Sequence, residues 1–154
     1  MYSDGQRKKI LAVSSRGGHW NELQRLILAF EEHNVVFIVA GSGGGSEAWP
    51  FPCRIVRDAN CQQIIPSLLQ GLEVLAIVLR ERPDVVISTG ASCGFFALLF
   101  GKLCGARTIW VDSLANVKKL SLSGRMVRRF ADLWLTQWPE RARPGGPYFK
   151  GSLL

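Results

Sequence analysis

The sequence predicts one α/β domain built on a doubly wound, parallel sheet. The chain has 154 residues, 47% of them hydrophobic and 20% charged, which fits a single globular domain with a sizeable core. Short apolar runs alternate along the chain with segments long enough for helices. The run 35–39 is apolar throughout, as is typical of a strand that is buried on both faces of its sheet.

Each element follows from a local pattern. We predict strands over 8–14, 35–40, 54–57, 85–88, 107–111 and 133–137. We predict helices over 19–32, 62–82 and 93–103, and a last helix that ends at Ala131. Pro66 suits a helix start, and Arg80 and Arg82 suit a helix end. The glycine-rich segment 41–52 is predicted to be a flexible connection; its Gly43-Gly44-Gly45 run is a weak phosphate-loop candidate, because no helix follows it.

The turn after the first strand is the strongest candidate for an anion site. Ser15 leads into Gly17-Gly18-His19, where an amphipathic helix begins. Glycine lets a ligand approach the backbone, and a helix start presents free N–H groups with partial positive charge. His19 adds an imidazole, a side chain suited to accepting or donating a proton. A plain strand–helix turn would give the same local pattern, and His19 would then cap the helix or serve an interface.

Two further polar segments follow predicted strands directly. Thr89-Gly90 comes after the strand 85–88, and Asp112-Ser113 comes after the strand 107–111. Ligands of parallel α/β sheets bind beyond the carboxyl ends of the strands, and all three turns belong to that edge. We therefore predict one ligand site there.

Composition excludes several classes of site. The four cysteines form no C-x-x-C pair and have no cluster of histidines around them, so we predict reduced, mostly buried thiols and no metal site. The sequence lacks the motifs of nicotinamide-binding, P-loop and serine-hydrolase sites, and we predict no cofactor. We expect no signal peptide, because Met1–Lys9 is polar, and we expect no spanning helix, because no run of apolar residues is long enough to cross a membrane.

The net charge of +7 is concentrated in one segment. Five basic residues fall within twelve positions that contain no acid: Lys118, Lys119, Arg125, Arg128 and Arg129. Such a cluster favours an anionic membrane surface, a pyrophosphate or a nucleic acid, although a solvated stripe over a core-facing helix has the same pattern. We predict no nucleic-acid partner, because the chain has no known nucleic-acid motif and its aromatic residues are scattered.

In order and spacing, several segments together resemble one protein family. They are Gly17-Gly18-His19 with Glu22-Leu23, 83–90, Val111-Asp112-Ser113, 120–124, Ala131-Asp132, 137–140 and 148–151. The chain is similar over nearly its whole length to the Alg-fourteen-like oligosaccharide biosynthesis family. Its members include the membrane-associated subunit of the split dolichol-pathway N-acetylglucosamine transferase and bacterial exopolysaccharide proteins of the PssD, EpsE and CpsF kind.

The resemblance implies a Rossmann-like domain equivalent to the N-terminal half of a GT-B glycosyltransferase related to MurG. On this view the nucleotide-sugar site lies mostly in a separate catalytic subunit, and this chain is inactive without it. The chain would hold a polyprenyl-diphosphate-linked acceptor and transfer a sugar from a UDP-sugar, in exopolysaccharide, capsule or lipid-linked oligosaccharide synthesis. A noncatalytic subunit that recruits and stimulates the catalytic one is the alternative. We expect a peripheral position at the cytoplasmic face of the inner or plasma membrane.

The resemblance also implies roles for individual residues. His19 is expected to be the general base, oriented by Glu22, although Glu22 is equally suited to the helix dipole. The acceptor and its phosphates would bind Ser15, Gly17, Gly18, Thr89, Gly90, Asp112 and Ser113, and relatives commonly carry Glu at the position of Asp112. The basic cluster would bind anionic lipid. We treat 1–154 as one domain in which 1–7 is flexible. We expect the partner interface to lie in the tail 139–154 and at the neighbouring Trp138. The interface residues are Trp138, Pro139, Glu140, Tyr148 and Phe149.

Overall fold

A computed structural model describes residues 7–41, 51–60 and 62–153 of the chain. Its strands are β1 (Lys9–Ser15), β2 (Asn34–Ala40), β3 (Cys53–Val56), β4 (Val85–Ser88), β5 (Arg107–Val111), β6 (Leu133–Thr136) and β7 (Tyr148–Phe149). Its α-helices are α1 (Gly18–Arg25), α2 (Ile64–Glu81), α3 (Ala91–Leu103) and α4 (Leu122–Val127). The Gly43-Gly44-Gly45 run, Cys61 and most of the predicted flexible 1–7 lie outside the described residues.

The seven strands form one sheet in the order β3-β2-β1-β4-β5-β6-β7. Every neighbouring pair is parallel. The chain runs outward from β1 to β3, returns to β4 beside β1, and then builds the other side of the sheet. This order confirms the doubly wound parallel fold, and it puts the topological switch point between β1 and β4.

Helices cover both faces of the sheet, because the central strands are apolar on both sides. Leu11 and Val13 of β1 face the cluster that includes α2, α3 and α4. Ile10 and Ala12 face the opposite cluster, which includes Leu23 of α1. The alternation follows from the two-residue period of a strand. With both faces buried, the carboxyl edge of the sheet is the natural place for a ligand.

Two predicted helices end earlier than the sequence pattern indicates. The first stops at Arg25, because the N–H of Leu26 donates to the carbonyl of Leu23 (3.1 Å), and a 3-10 helix follows over Ile27–Phe30. The two helix types keep their apolar residues on nearly the same side, so hydrophobic periodicity does not separate them. The last helix stops at Val127 instead of Ala131, since the N–H groups of Phe130 and Ala131 both donate to the Val127 carbonyl.

Two other predictions on secondary structure and burial need correction. The sequence analysis placed no strand in the tail, yet Tyr148–Phe149 forms β7 at the edge of the sheet, paired with Leu135 and Thr136 of β6. The cysteines are not mostly buried: among the described ones Cys93 is buried, whereas Cys53 and Cys104 are exposed. Burial raises the pKa of the Cys93 thiol to about 12, which keeps it protonated.

Candidate functional site at the carboxyl edge of the sheet

Two helices begin side by side at the switch point. Gly17 precedes α1 with φ +82°, and Gly90 precedes α3 with φ +150°. Ala91 also has a positive φ, +69°, which is uncommon for a residue with a Cβ and marks local strain. Neither helix start receives a side-chain cap or carries an acidic residue in its first turn. The start of α1 is exposed at Gly17 and Gly18 and offers N–H groups and a positive dipole end to an anion, whereas Gly90 and Ser92 at the start of α3 are buried.

His19 lies at the junction of these two helix starts. A Cβ placed on Gly90 would lie 2.5 Å from His19 Cε1 and 2.6 Å from its Nδ1, so the imidazole packs directly against the Gly90 backbone. The Thr89 hydroxyl donates to the His19 carbonyl at 2.7 Å and fixes the distance between the two loops. The Nδ1 atom of His19 is buried and has no hydrogen-bond partner among the described residues. A buried imidazole nitrogen without a partner is uncommon in a folded protein, and it marks His19 as a candidate functional residue.

Glu22 belongs to a separate cluster, one helical turn further along α1. Its carboxylate is 7% exposed and accepts hydrogen bonds from the Ser113 hydroxyl (2.7 Å), the Leu114 N–H (3.2 Å) and the Gln137 side-chain amide (2.8 Å). These bonds tie α1 to the loops after β5 and β6. No hydrogen bond joins Glu22 to His19 among the described residues, so the structure does not show the predicted orientation of the imidazole by Glu22.

Asp112 is buried and engaged within the chain. Its carboxylate accepts from Trp110 Nε1 (3.2 Å), the Ser121 hydroxyl (2.7 Å) and the Ser121 N–H (3.3 Å). The Ser121 hydroxyl in turn accepts from the Gly124 N–H and caps α4. Asp112 is 1% exposed, and its hydrogen bonds to Ser121 hold the loop that leads into α4.

The structure brings the predicted ligand residues into two groups. Ser15, Gly17, Gly18, Thr89 and Gly90 lie at the β1–β4 edge with His19. Asp112 and Ser113 lie at the β5–β6 edge and spend their polar atoms on internal hydrogen bonds.

The sequence analysis missed Gln137 at this second edge. Gln137 joins Glu22, the Asp112 carbonyl and the Leu153 N–H. These partners are distant from Gln137 in sequence, so no local pattern could predict its role.

The tail folds back onto the domain beside this edge. Trp138 donates from Nε1 to the Leu114 carbonyl at 2.9 Å, so part of this predicted interface residue is used inside the chain. Pro139 and Glu140 are exposed on a 3-10 helix. Tyr148 and Phe149 are 43% and 38% exposed on the edge strand β7. An edge strand with exposed aromatic side chains is a surface that a partner can cover.

The basic cluster is exposed at and around α4. Arg125 and Arg129 border an open cavity of about 450 Å³ together with Phe95, Met126 and Phe130. Lys119, Arg125 and Arg128 border a second cavity, of about 390 Å³, which Arg141 and Arg143 of the tail also line. Those two arginines were not among the predicted site residues, because only the folding of the tail brings them there.

An exposed apolar face on α2 also escaped the sequence analysis. The side chains of Ile64, Ile65, Leu68, Leu72 and Leu79 are all more than half exposed. Several exposed apolar side chains on one helix are typical of an interaction surface. Within the described residues, no helix combines the length and the apolar character required to cross a bilayer.

Comparison with known proteins places these features in a family. The model of the family "Oligosaccharide biosynthesis protein Alg14 like" matches residues 51–145. The chain belongs to the Alg14-like family. The UDP-N-acetylglucosamine transferase subunit alg14 of Schizosaccharomyces pombe is 38% identical over 164 positions, which cover 88% of this chain and 78% of the relative. The corresponding Mus musculus subunit is 39% identical, covering 85% and 76%.

Solved structures show the same fold at low sequence identity. MurG of Acinetobacter baumannii superposes with a TM-score of 0.74 at 11% identity, over 94% of this Alg14-like chain and 45% of MurG. UDP-N-acetylglucosamine 2-epimerase of Rickettsia bellii gives 0.72 at 14% identity, over 96% and 46%. The chain thus has the extent of one half of these enzymes. It also spans 44% of the Yarrowia lipolytica ALG14 subunit, which is 36% identical over 95 residues.

Proposed function

We propose that this chain is the acceptor-binding subunit of a two-component glycosyltransferase. It would act in the transfer of a sugar from a UDP-sugar to a polyprenyl-diphosphate-linked acceptor. The observation that carries the proposal is the β1–β4 edge, where two uncapped helix starts lie beside an imidazole nitrogen without a partner. A diphosphate needs N–H donors and positive dipole ends, and an attacking hydroxyl needs a base.

In this proposal the residues divide the work. The exposed backbone at Gly17 and Gly18 receives the acceptor's phosphate or sugar. Gly90 contributes to the site through His19, because the imidazole packs where a side chain at Gly90 would lie. His19 accepts the proton of the attacking hydroxyl; a general base of this kind typically contributes a factor of about 10² to 10⁴ in rate. Glu22 acts as a positioning residue, because it holds α1 against the Ser113 and Gln137 loops.

The proposed donor is UDP-N-acetylglucosamine. The relatives at 38% and 39% identity are both named as subunits of the transferase that uses it. The names of these relatives and the description of the family favour lipid-linked oligosaccharide synthesis over exopolysaccharide synthesis for this chain.

The proposed partner is a nucleotide-sugar-binding catalytic subunit. The family relatives are themselves described as subunits, and this chain has the extent of one half of MurG. The exposed edge strand β7 and the neighbouring 3-10 helix, with Pro139, Glu140, Tyr148 and Phe149, are the surface that we assign to that partner.

The proposed location is the cytoplasmic side of a membrane surface. Contacts from α2 and α4 would hold the chain there. Lys118, Lys119, Arg125, Arg128 and Arg129 supply positive charge, at about 1 kcal/mol each near an anionic leaflet. The exposed apolar face of α2 lies on the same side of the sheet as α4 and supplies hydrophobic contact.

A second candidate function is a noncatalytic subunit that recruits and stimulates the catalytic one. The observation that favours it is the Glu22 cluster, whose polar atoms serve the fold rather than an open site. Substitution of His19 separates the two functions, because a recruiting subunit does not need the imidazole.

Co-purification with a candidate catalytic subunit, followed by UDP release on membranes, tests the proposal. We expect UDP-N-acetylglucosamine-dependent release from the pair and none from either protein alone. Robust release from this chain alone would contradict the divided site. A pair that binds but releases no UDP with any sugar nucleotide would contradict the transferase function.

A further inference from the structure

We propose that the cavity between the basic cluster and the tail is a binding site for a phosphate or diphosphate group. The cavity measures about 390 Å³ and is lined by Lys119, Arg125, Arg128, Arg141 and Arg143, together with Trp134 and the Gly146-Pro147 turn. We call it the cationic pocket. It shares Lys119, Arg125 and Arg128 with the proposed membrane surface but no lining residue with the β1–β4 edge, and the inference holds whether or not the chain is a transferase subunit.

The charges of the cationic pocket are unbalanced. Its lining contains five cationic side chains and no carboxylate. The ion pairs of the described residues join other cations, Lys9, Arg54, Arg57 and Lys102, to acids elsewhere. Like charges around one small cavity repel each other, and a bound anion relieves that repulsion. Arginine forks match phosphate oxygens in particular, since a guanidinium donates two parallel hydrogen bonds.

The two arginines from the tail are held in place by the backbone. Arg141 Nε donates to the Val117 carbonyl at 2.8 Å, which leaves its terminal NH₂ groups for a ligand. The Arg143 N–H donates to the Pro147 carbonyl at 3.0 Å, and Arg143 Nη1 donates to the Ala142 carbonyl at 2.8 Å. The tail therefore brings its charges to the cluster as part of a fixed loop.

The Trp134 side chain forms an inner wall of the cationic pocket. Trp134 is 7% exposed, and its indole Nε1–H has no hydrogen-bond partner among the described residues. The tail packs tightly on this side chain, because a Cβ on Gly146 would lie 3.3 Å from Trp134 Cε3. This packing holds the Gly146-Pro147 turn against the wall that Trp134 forms.

Size and chemistry together select the ligand class. Pockets for small ligands measure about 300 to 1,000 Å³, so the cavity suits a phosphorylated small group rather than a bare surface contact. The same chemistry comes from a free diphosphate or from the phosphate headgroup of a lipid. Inorganic pyrophosphate and glycerol 3-phosphate represent the two sources.

The chain offers a matched pair of double variants for the test. Lys119 and Arg128 line the cationic pocket, whereas their sequence neighbours Lys118 and Arg129 do not. K119Q/R128Q and K118Q/R129Q remove the same net charge from the same segment. R143Q probes the tail side of the pocket.

Binding of each probe to the full chain is measured by calorimetry, with thermal unfolding as the check on folding. We expect K119Q/R128Q and R143Q to weaken binding by about tenfold or more, and K118Q/R129Q by less than about threefold. Tighter binding of pyrophosphate would identify a free diphosphate, and tighter binding of glycerol 3-phosphate a lipid headgroup. Equal losses in the two double variants, or no binding of either probe to the parent chain, would overturn the proposal.

Discussion

The β1–β4 edge and the β5–β6 edge of the sheet carry similar polar residues in opposite states. At the first edge, His19 Nδ1 has no partner and two helix starts are uncapped. At the second, Glu22 and Asp112 each accept three hydrogen bonds. Groups that are satisfied internally stabilise the fold, whereas unsatisfied groups at a ligand edge await a substrate. We therefore propose that the β5–β6 edge stabilises the fold and that the chemistry takes place at the β1–β4 edge.

The largest effect on stability is expected at Asp112. Asp112→Ala leaves the Trp110 Nε1–H and the Ser121 hydroxyl and N–H without their acceptor, and should lower the free energy of unfolding by about 3 kcal/mol. Denaturant unfolding measures it. The matched control is Asp58→Ala at an exposed position, expected to change stability by less than about 0.5 kcal/mol. Equal losses of unfolding free energy in the two variants would contradict a structural role for the β5–β6 edge.

A pair of glycine variants sharpens the comparison within the β1–β4 edge. Gly90→Ala places a Cβ 2.5 Å from His19 Cε1 at a positive φ. It should cost about 2 kcal/mol of stability. A Cβ on Gly18 meets nothing within 4 Å, so Gly18→Ala should leave thermal stability unchanged or raise it by about 0.5 kcal/mol. Equal changes in stability in the two variants would contradict the close packing of His19 on Gly90.

The smallest effect concerns a carboxylate away from both edges. Glu81 accepts a hydrogen bond from Lys9, which lowers the pKa of the Glu81 carboxyl. Burial raises this pKa, but the charges of Lys9 and Arg54 lower it further, so that the net shift is downward. A lowered folded-state pKa stabilises the protein above the unfolded value of about 4.3 and ceases to do so as pH falls through the folded value. Glu81→Gln should therefore cost about 0.5 kcal/mol at pH 7.

The difference between Glu81→Gln and the parent chain should narrow once the pH falls below about 4.3. Urea unfolding at several pH values measures it. A difference that stays constant or grows in acid would show that Glu81 does not act through its charge.

The sequence was sufficient for the features that depend on local pattern. The apolar runs of β1, β2, β4 and β5 and the glycine turns at Gly17 and Gly90 were predicted close to their observed positions. Hydrophobic periodicity and turn chemistry are properties of neighbouring residues, and parallel topology then puts the turns on one edge.

Contacts between residues that are distant in the chain could not be predicted from the sequence. Glu22 is separated from Gln137 by 115 positions, and their hydrogen bond exists only because β6 follows β5 in the sheet. Strand β7 has two exposed residues, and its pairing is decided by the edge that β6 leaves open. Arg141 and Arg143 likewise join the basic cluster only after the tail has folded back.

Turnover of the reconstituted pair with His19→Ala tests the central assignment most directly. UDP release per folded complex should fall about 100-fold or more, while the free energy of unfolding of this chain changes by less than about 1 kcal/mol. Asp112→Ala, measured alongside, should show the reverse: a large loss of stability and near-normal turnover by the fraction that remains folded. Unchanged turnover in His19→Ala would contradict the assignment of chemistry to the β1–β4 edge.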